Sequence, residues 1–68
     1  MLDDKEVKKY LEQLRFLIED LDRGDGVSIE ELKELMGLPE EDFNFLLQLL
    51  IENGEVLEVS PGKIKLVK

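Results

Sequence analysis

The segment that opens on Val27-Ser28-Ile29-Glu30-Glu31-Leu32 runs through Gly37-Leu38-Pro39 and Asn53-Gly54-Glu55-Val56, and closes on Ser60-Pro61-Gly62-Lys63. It reads as a helix, a tight turn, a second helix and a β-hairpin. Ser28 is an N-cap residue with Glu31 placed to complete a capping box, and Val27 can clasp Leu32 as a hydrophobic staple. Ile29, Leu32, Leu35 and Met36 fall on the expected inner face of this helix. Gly37 supplies the left-handed residue that ends it, with Leu38 positioned to fold back on Leu32. Pro39 then takes the first position of the next helix, where its missing N–H costs nothing. So short a link makes the two helices cross steeply rather than lie antiparallel.

Upstream, Asp3 with Glu6 forms a second capping box, flanked by Leu2 and Val7 as a staple. Val7, Leu11, Leu14, Ile18 and Leu21 recur at helical spacing, widened by Tyr10 and Leu17 into a broad apolar face that leaves Phe16 outside it. Arg23-Gly24-Asp25-Gly26 ends this helix by permitting positive φ. Downstream, a type II turn at Ser60-Pro61-Gly62-Lys63 sets Val59 opposite Ile64, Glu58 opposite Lys65 as an ion pair, and Leu57 opposite Leu66. Such a turn matches hairpin twist poorly, which leaves a bulge as an alternative. The expectation is a single α+β domain over 1–68, with helices over 3–22, 28–36 and 39–53, a hairpin over 55–67, and Val27 able to add a short third strand.

Composition narrows the function classes. The chain has no Cys and no His, so disulfides, thiol nucleophiles and the commonest general base are missing, and no enzyme, cofactor, metal site or small-molecule substrate is expected. Seventeen acids against nine bases give a formal charge of −8, which repels phosphate backbones and anionic lipid. No cationic start precedes an apolar run, and no apolar stretch approaches about 18 residues, so a cytoplasmic protein without a membrane segment is expected. Alanine and threonine are absent. A heat-adapted proteome or a de novo designed small domain with no natural function would each account for that bias.

Ser28-Ile29-Glu30-Glu31-Leu32, Gly37-Leu38, Leu46-Leu47, Leu50, Asn53-Gly54-Glu55-Val56 and Pro61-Gly62 together resemble the winged helix-turn-helix superfamily over essentially the whole chain. The ending from Glu52 to Leu66 is similar to the C-terminal winged helices of archaeal minichromosome-maintenance helicases and of the replication protein A middle subunit. The resemblance implies three helices with a C-terminal β-hairpin wing. It also implies either duplex recognition by the third helix and wing, or reuse of that surface for docking protein.

Duplex recognition requires cations or amides on the third helix, yet Pro39 to Asn53 contains no basic residue and carries Glu40, Glu41, Asp42 and Glu52. Weak nucleic-acid binding through Lys33, Lys63, Lys65 and Lys68 is the alternative. Phe43, Leu46, Leu47, Leu50 and Ile51 suffice for the inward face of the third helix. Phe45 and Leu49 are surplus to it, and with Asn44 and Gln48 at their edge they have the centre-and-rim anatomy of a protein interface. Phe16 either extends that patch or makes a second one. The expected partner is another protein or a second copy of the chain. A calcium loop over Asp20 to Glu31 fails the pattern at its fifth and sixth positions, Gly24 and Asp25.

Overall fold

The structure, a computed structural model, describes residues 2–67. It is α+β: α1 (Asp4–Leu21), β1 (Val27–Ser28), α2 (Ile29–Met36), α3 (Glu40–Glu52), β2 (Val56–Ser60) and β3 (Lys63–Leu66), in that order. The strands form one antiparallel sheet in the order β1-β3-β2, so the two residues of β1 add a third strand beside the hairpin. Leu14 and Ile18 of α1, Leu32 of α2, Phe43, Leu46, Leu47 and Leu50 of α3, and Val27, Val56 and Ile64 of the sheet make one buried cluster with no polar side chain inside it.

Local chemistry fixes the ends of the elements. Around α1 the capping box closes in both directions, with the Glu6 amide donating to Asp3 Oδ1 at 2.8 Å and the Asp3 amide donating to Glu6 Oε1 at 3.3 Å. The box at α2 is only half formed: the Glu31 amide donates to Ser28 Oγ at 3.4 Å, without the return bond. Ser28 is a strand residue as well as a cap, and its pairing with Lys63 sets its backbone. Pro39 is the N-cap of α3 rather than its first helical residue. Its ψ of 146° is extended, and its carbonyl accepts the first helical bond from the Phe43 amide at 3.0 Å.

The reversal after α1 is organised by a side chain as much as by its glycines. Asp22 Oδ1 accepts from the amides of Gly24 at 2.8 Å and Gly26 at 3.0 Å, a local alternative to further helix. The carboxylate oxygen that a calcium loop would offer to metal is thus turned onto backbone donors. Among the described residues, no three acids converge as a metal site would need.

The hairpin register differs from the expected one. Val56 pairs with Leu66, Leu57 with Lys65 and Glu58 with Ile64, while Ser60 pairs with Lys63, which leaves Val59 as an extra residue in β2. A two-residue turn of type II geometry splays the strands, and a bulge restores the twist by inserting one residue. Consequently Glu58 does not face Lys65; the Lys65 ammonium instead donates to the Gly24 carbonyl at 3.3 Å.

The bulge sends Val59 over β3 towards Gly26, where φ is +92°. A Cβ on Gly26 would lie 2.7 Å from Val59 Cγ2 and 3.0 Å from the Ile64 carbonyl oxygen, whereas one on Gly37, at φ +65°, would meet nothing within 4 Å. Gly37→Ala should therefore cost about 1–2 kcal/mol from its left-handed backbone alone. Gly26→Ala should cost at least about 1 kcal/mol more, because overpacking adds to the strain. Urea unfolding of both variants checks the order; equal losses would mean that Val59 does not occupy the space beside Gly26.

Candidate functional site

Helical geometry sorts the side chains of α3 by angle. Phe43, Leu46, Leu47 and Leu50 cluster within about 100° at 3.6 residues per turn, and all four are buried. Phe45 projects about 200° round from Phe43 and is 52% exposed. Ile51, expected inward, lies at about 80° and is 44% exposed, because the flanking elements cover only the centre of the stripe. Leu35 of α2 is the same kind of correction: Ile29, Leu32 and Met36 centre the packed face, and Leu35, about 90° from that centre, is 54% exposed.

Phe45 lines a cleft of about 340 Å³ at the N-terminal ends of α1 and α3, together with Leu2 and Val7 and the acids Asp4, Glu41 and Asp42. Leu49, one turn further along α3, is half-buried and lies outside the set of side chains packed on the core. Asn44 and Gln48 are exposed, and Gln48 Nε2 donates to Glu52 Oε1 at 3.3 Å. The four α3 residues singled out in the sequence therefore share one accessible flank. Phe16 does not join them. It is 67% exposed and lines a separate groove of about 490 Å³ with Leu17, Leu35 and Met36, about 14 Å of helical rise from Val7. Leu2 and Val7, legible in the sequence only as a staple, are the cleft residues that reasoning from α3 alone misses.

The lysines of the nucleic-acid alternative are engaged locally. Lys33 Nζ lies 3.1 Å from Glu40 and 3.8 Å from Glu30, and its pKa is raised chiefly by the hydrogen bond to Glu40. Lys63 Nζ lies 3.5 Å from Asp25, while Lys65 is held at the Gly24 carbonyl. Lys68 lies outside the described residues. Lys33, Lys63 and Lys65 are each turned to an acceptor of their own chain rather than gathered into a common cationic surface.

The best-formed polar contact was not anticipated. Arg15 of α1 grips Glu55, at the entry to β2, with Nε to Oε1 at 2.6 Å and Nη2 to Oε2 at 3.0 Å. Two parallel charged bonds fix both planes, and this makes such pairs more specific than a lysine contact. The hydrogen bond from Arg15 is the main reason the Glu55 carboxyl is held below its usual value, and the same bond raises the guanidinium pKa. Sequence spacing could not reveal a contact between residues 40 positions apart.

Comparison of the chain with known protein families, with curated proteins and with solved structures found no match.

A depressed Glu55 pKa stabilises the fold above the ordinary carboxylate range, and that contribution is lost as the pH falls through the folded-state value. Arg15, with its pKa raised above an already high value, stays charged throughout. Both groups are about one-third exposed, and solvent screening limits the pair to about 1 kcal/mol. Glu55→Gln should therefore lower unfolding free energy by about 1 kcal/mol at pH 7. The gap should begin to close as the pH drops below the usual carboxylate value of 4.5, where Glu55 of the unfolded chain takes up its proton, and vanish once the pH has fallen through the lowered folded-state value. Paired urea titrations over the acid range check this; a gap that does not narrow as the pH falls would show that charge is not its cause.

Proposed function

We propose that the chain is a winged-helix domain acting as a non-enzymatic protein-docking module, with its contact surface centred on Phe45 and Leu49 and edged by Asn44 and Gln48. Three helices, a short strand between the first two, and a hairpin completing an antiparallel sheet support the winged-helix reading. The observation that carries the docking reading is the 52% exposure of Phe45 on a helix whose inward face is already filled by four buried side chains. An aromatic beside a half-buried leucine, with neutral amides around them, matches the anchor and rim of a protein contact. Phe16, in its own groove, is a candidate for a second contact.

Duplex binding has less support, since α3 has no cation and Lys33, Lys63 and Lys65 are bonded within the chain. A catalytic role has less still. Ser28 Oγ serves as a helix cap, and Tyr10 is half-buried with Lys9 Nζ 5.7 Å from its ring centre. No helix among the described residues is long and apolar enough to cross a membrane.

Phe45→Lys should change unfolding free energy by no more than about 1 kcal/mol, the share of a half-exposed aromatic. Phe43→Ala, at the centre of the core, should cost about 3–5 kcal/mol. If the two losses are comparable, Phe45 is a structural residue and the docking reading falls. Mass measurement in solution on wild type and Phe45→Lys then separates the versions: a shift from dimer to monomer supports self-association, and a monomer in both cases removes it.

A further inference from the structure

We propose that the cleft beside Phe45 receives a cationic amphipathic helix from another protein. The inference rests on the docking reading above and adds the chemistry of the partner. The cleft has two properties that must be met together. Three of its lining residues, Leu2, Val7 and Phe45, are apolar, and the other three, Asp4, Glu41 and Asp42, are acids, with no base among them. Every polar side chain it offers is an acceptor, so the occupant must supply the donors and the positive charge as well as apolar anchors.

The position of these acids has a structural explanation, and its magnitude leaves the charge in excess. Asp4 begins α1, while Glu41 and Asp42 lie in the first turn of α3, where carboxylates offset the positive ends of the helix dipoles. Each helix end carries about half a unit of positive charge, or about one unit for the two ends together. Three carboxylates exceed that by about two units. Lys33 of α2 is occupied by Glu40 and Glu30, and Lys5 and Lys8 of α1, although they adjoin Asp4 and Val7 in sequence, are not among the residues that line the cleft.

The same excess decides between occupants. A second copy docked cleft to cleft would set Asp4, Glu41 and Asp42 against their own counterparts, between two chains of charge −8. Like charges placed across an interface act against that pairing. A volume of about 340 Å³ is at the small end of ligand sites, and small-molecule sites rely on convergent donors and acceptors rather than acceptors alone. A basic amphipathic helix supplies apolar anchors at i and i+3 or i+4 together with lysine or arginine donors, the two kinds of group that this lining calls for.

The test is selection of binders from a displayed library of helical peptides against the full chain, with Phe45→Lys as the counter-screen. A Glu41→Gln/Asp42→Asn variant serves as the charge probe, and circular dichroism establishes that both variants fold. The expected result is enrichment of peptides that are net positive around an apolar i, i+4 pair, that lose binding to Phe45→Lys, and that bind the charge probe about tenfold more weakly, in line with loss of two rim charges. Phe45-dependent peptides that are neutral or acidic, or that bind the charge probe unchanged, would overturn the partner class while the docking surface stands. Cationic peptides indifferent to Phe45, or no enrichment at all, would overturn both.

Discussion

The insertion of Phe43, Leu46, Leu47 and Leu50 among Leu14 and Ile18 of α1, Leu32 of α2 and the inner side of the sheet sets the position of every other group in the chain. The cluster contains no polar side chain, and no buried side-chain nitrogen or oxygen among the described residues lacks a partner. Cohesion is therefore apolar and non-directional, and it rests on area removed from water. A domain of this size has a single core of limited capacity. Once four residues of α3 have filled their share, further apolar residues on that helix have nowhere inside to go, and Phe45 and Ile51 stay at the surface.

Direction comes from the corners. Arg15–Glu55 ties the middle of α1 to the start of β2, Lys33–Glu40 ties α2 to α3, and Lys63–Asp25 ties β3 to the loop after α1. Each lies at the surface, and pairs of that kind add at most about 1 kcal/mol. Their effect is to choose one arrangement among those the greasy core would tolerate. They also occupy three of the chain's cations, Arg15, Lys33 and Lys63, and no cation lines the cleft between the starts of α1 and α3. One allocation of charge thus both orders the fold and polarises the cleft.

Local signals were legible, and signals that depend on neighbours were not. Asp3 with Glu6, Gly37, and the inward positions Leu14, Ile18, Leu32, Phe43, Leu46 and Leu50 could be read because capping and helical period are written within a few residues. The failures share a cause. Glu31 was expected to close a box, but Ser28 also belongs to a strand. Leu35 and Ile51 fit the period, but the neighbouring elements cover a narrower stripe than the period allows. The unbulged register expected for the hairpin is one residue out from Val59 back to Leu57, and the bulge given as its alternative is what forms, because twist is a property of paired strands rather than of either one. For the candidate surface, Phe45 and Leu49 were visible as surplus on α3. Leu2 and Val7 were not, since only the tertiary fold brings the start of α1 to the cleft that Phe45 lines.

Two of the molecule's grooves, one lined by Phe45 and one by Phe16 with Leu35, differ in the sign of the charge along their lining. The groove at Phe16 is the larger, and Lys9 stands among its lining residues with Glu12, so its rim holds both signs and favours no class of partner. The cleft at Phe45 is smaller and carries only acids. Apolar contact is indifferent to what supplies it and cannot by itself tell one greasy surface from another. Like-signed carboxylates can, because they oppose approach by another acidic chain and favour a basic one before any close contact forms, over roughly a Debye length of about 8–10 Å. The acids that line this cleft thus oppose a polyanion or another acidic chain and, on the docking reading proposed above, favour a basic polypeptide.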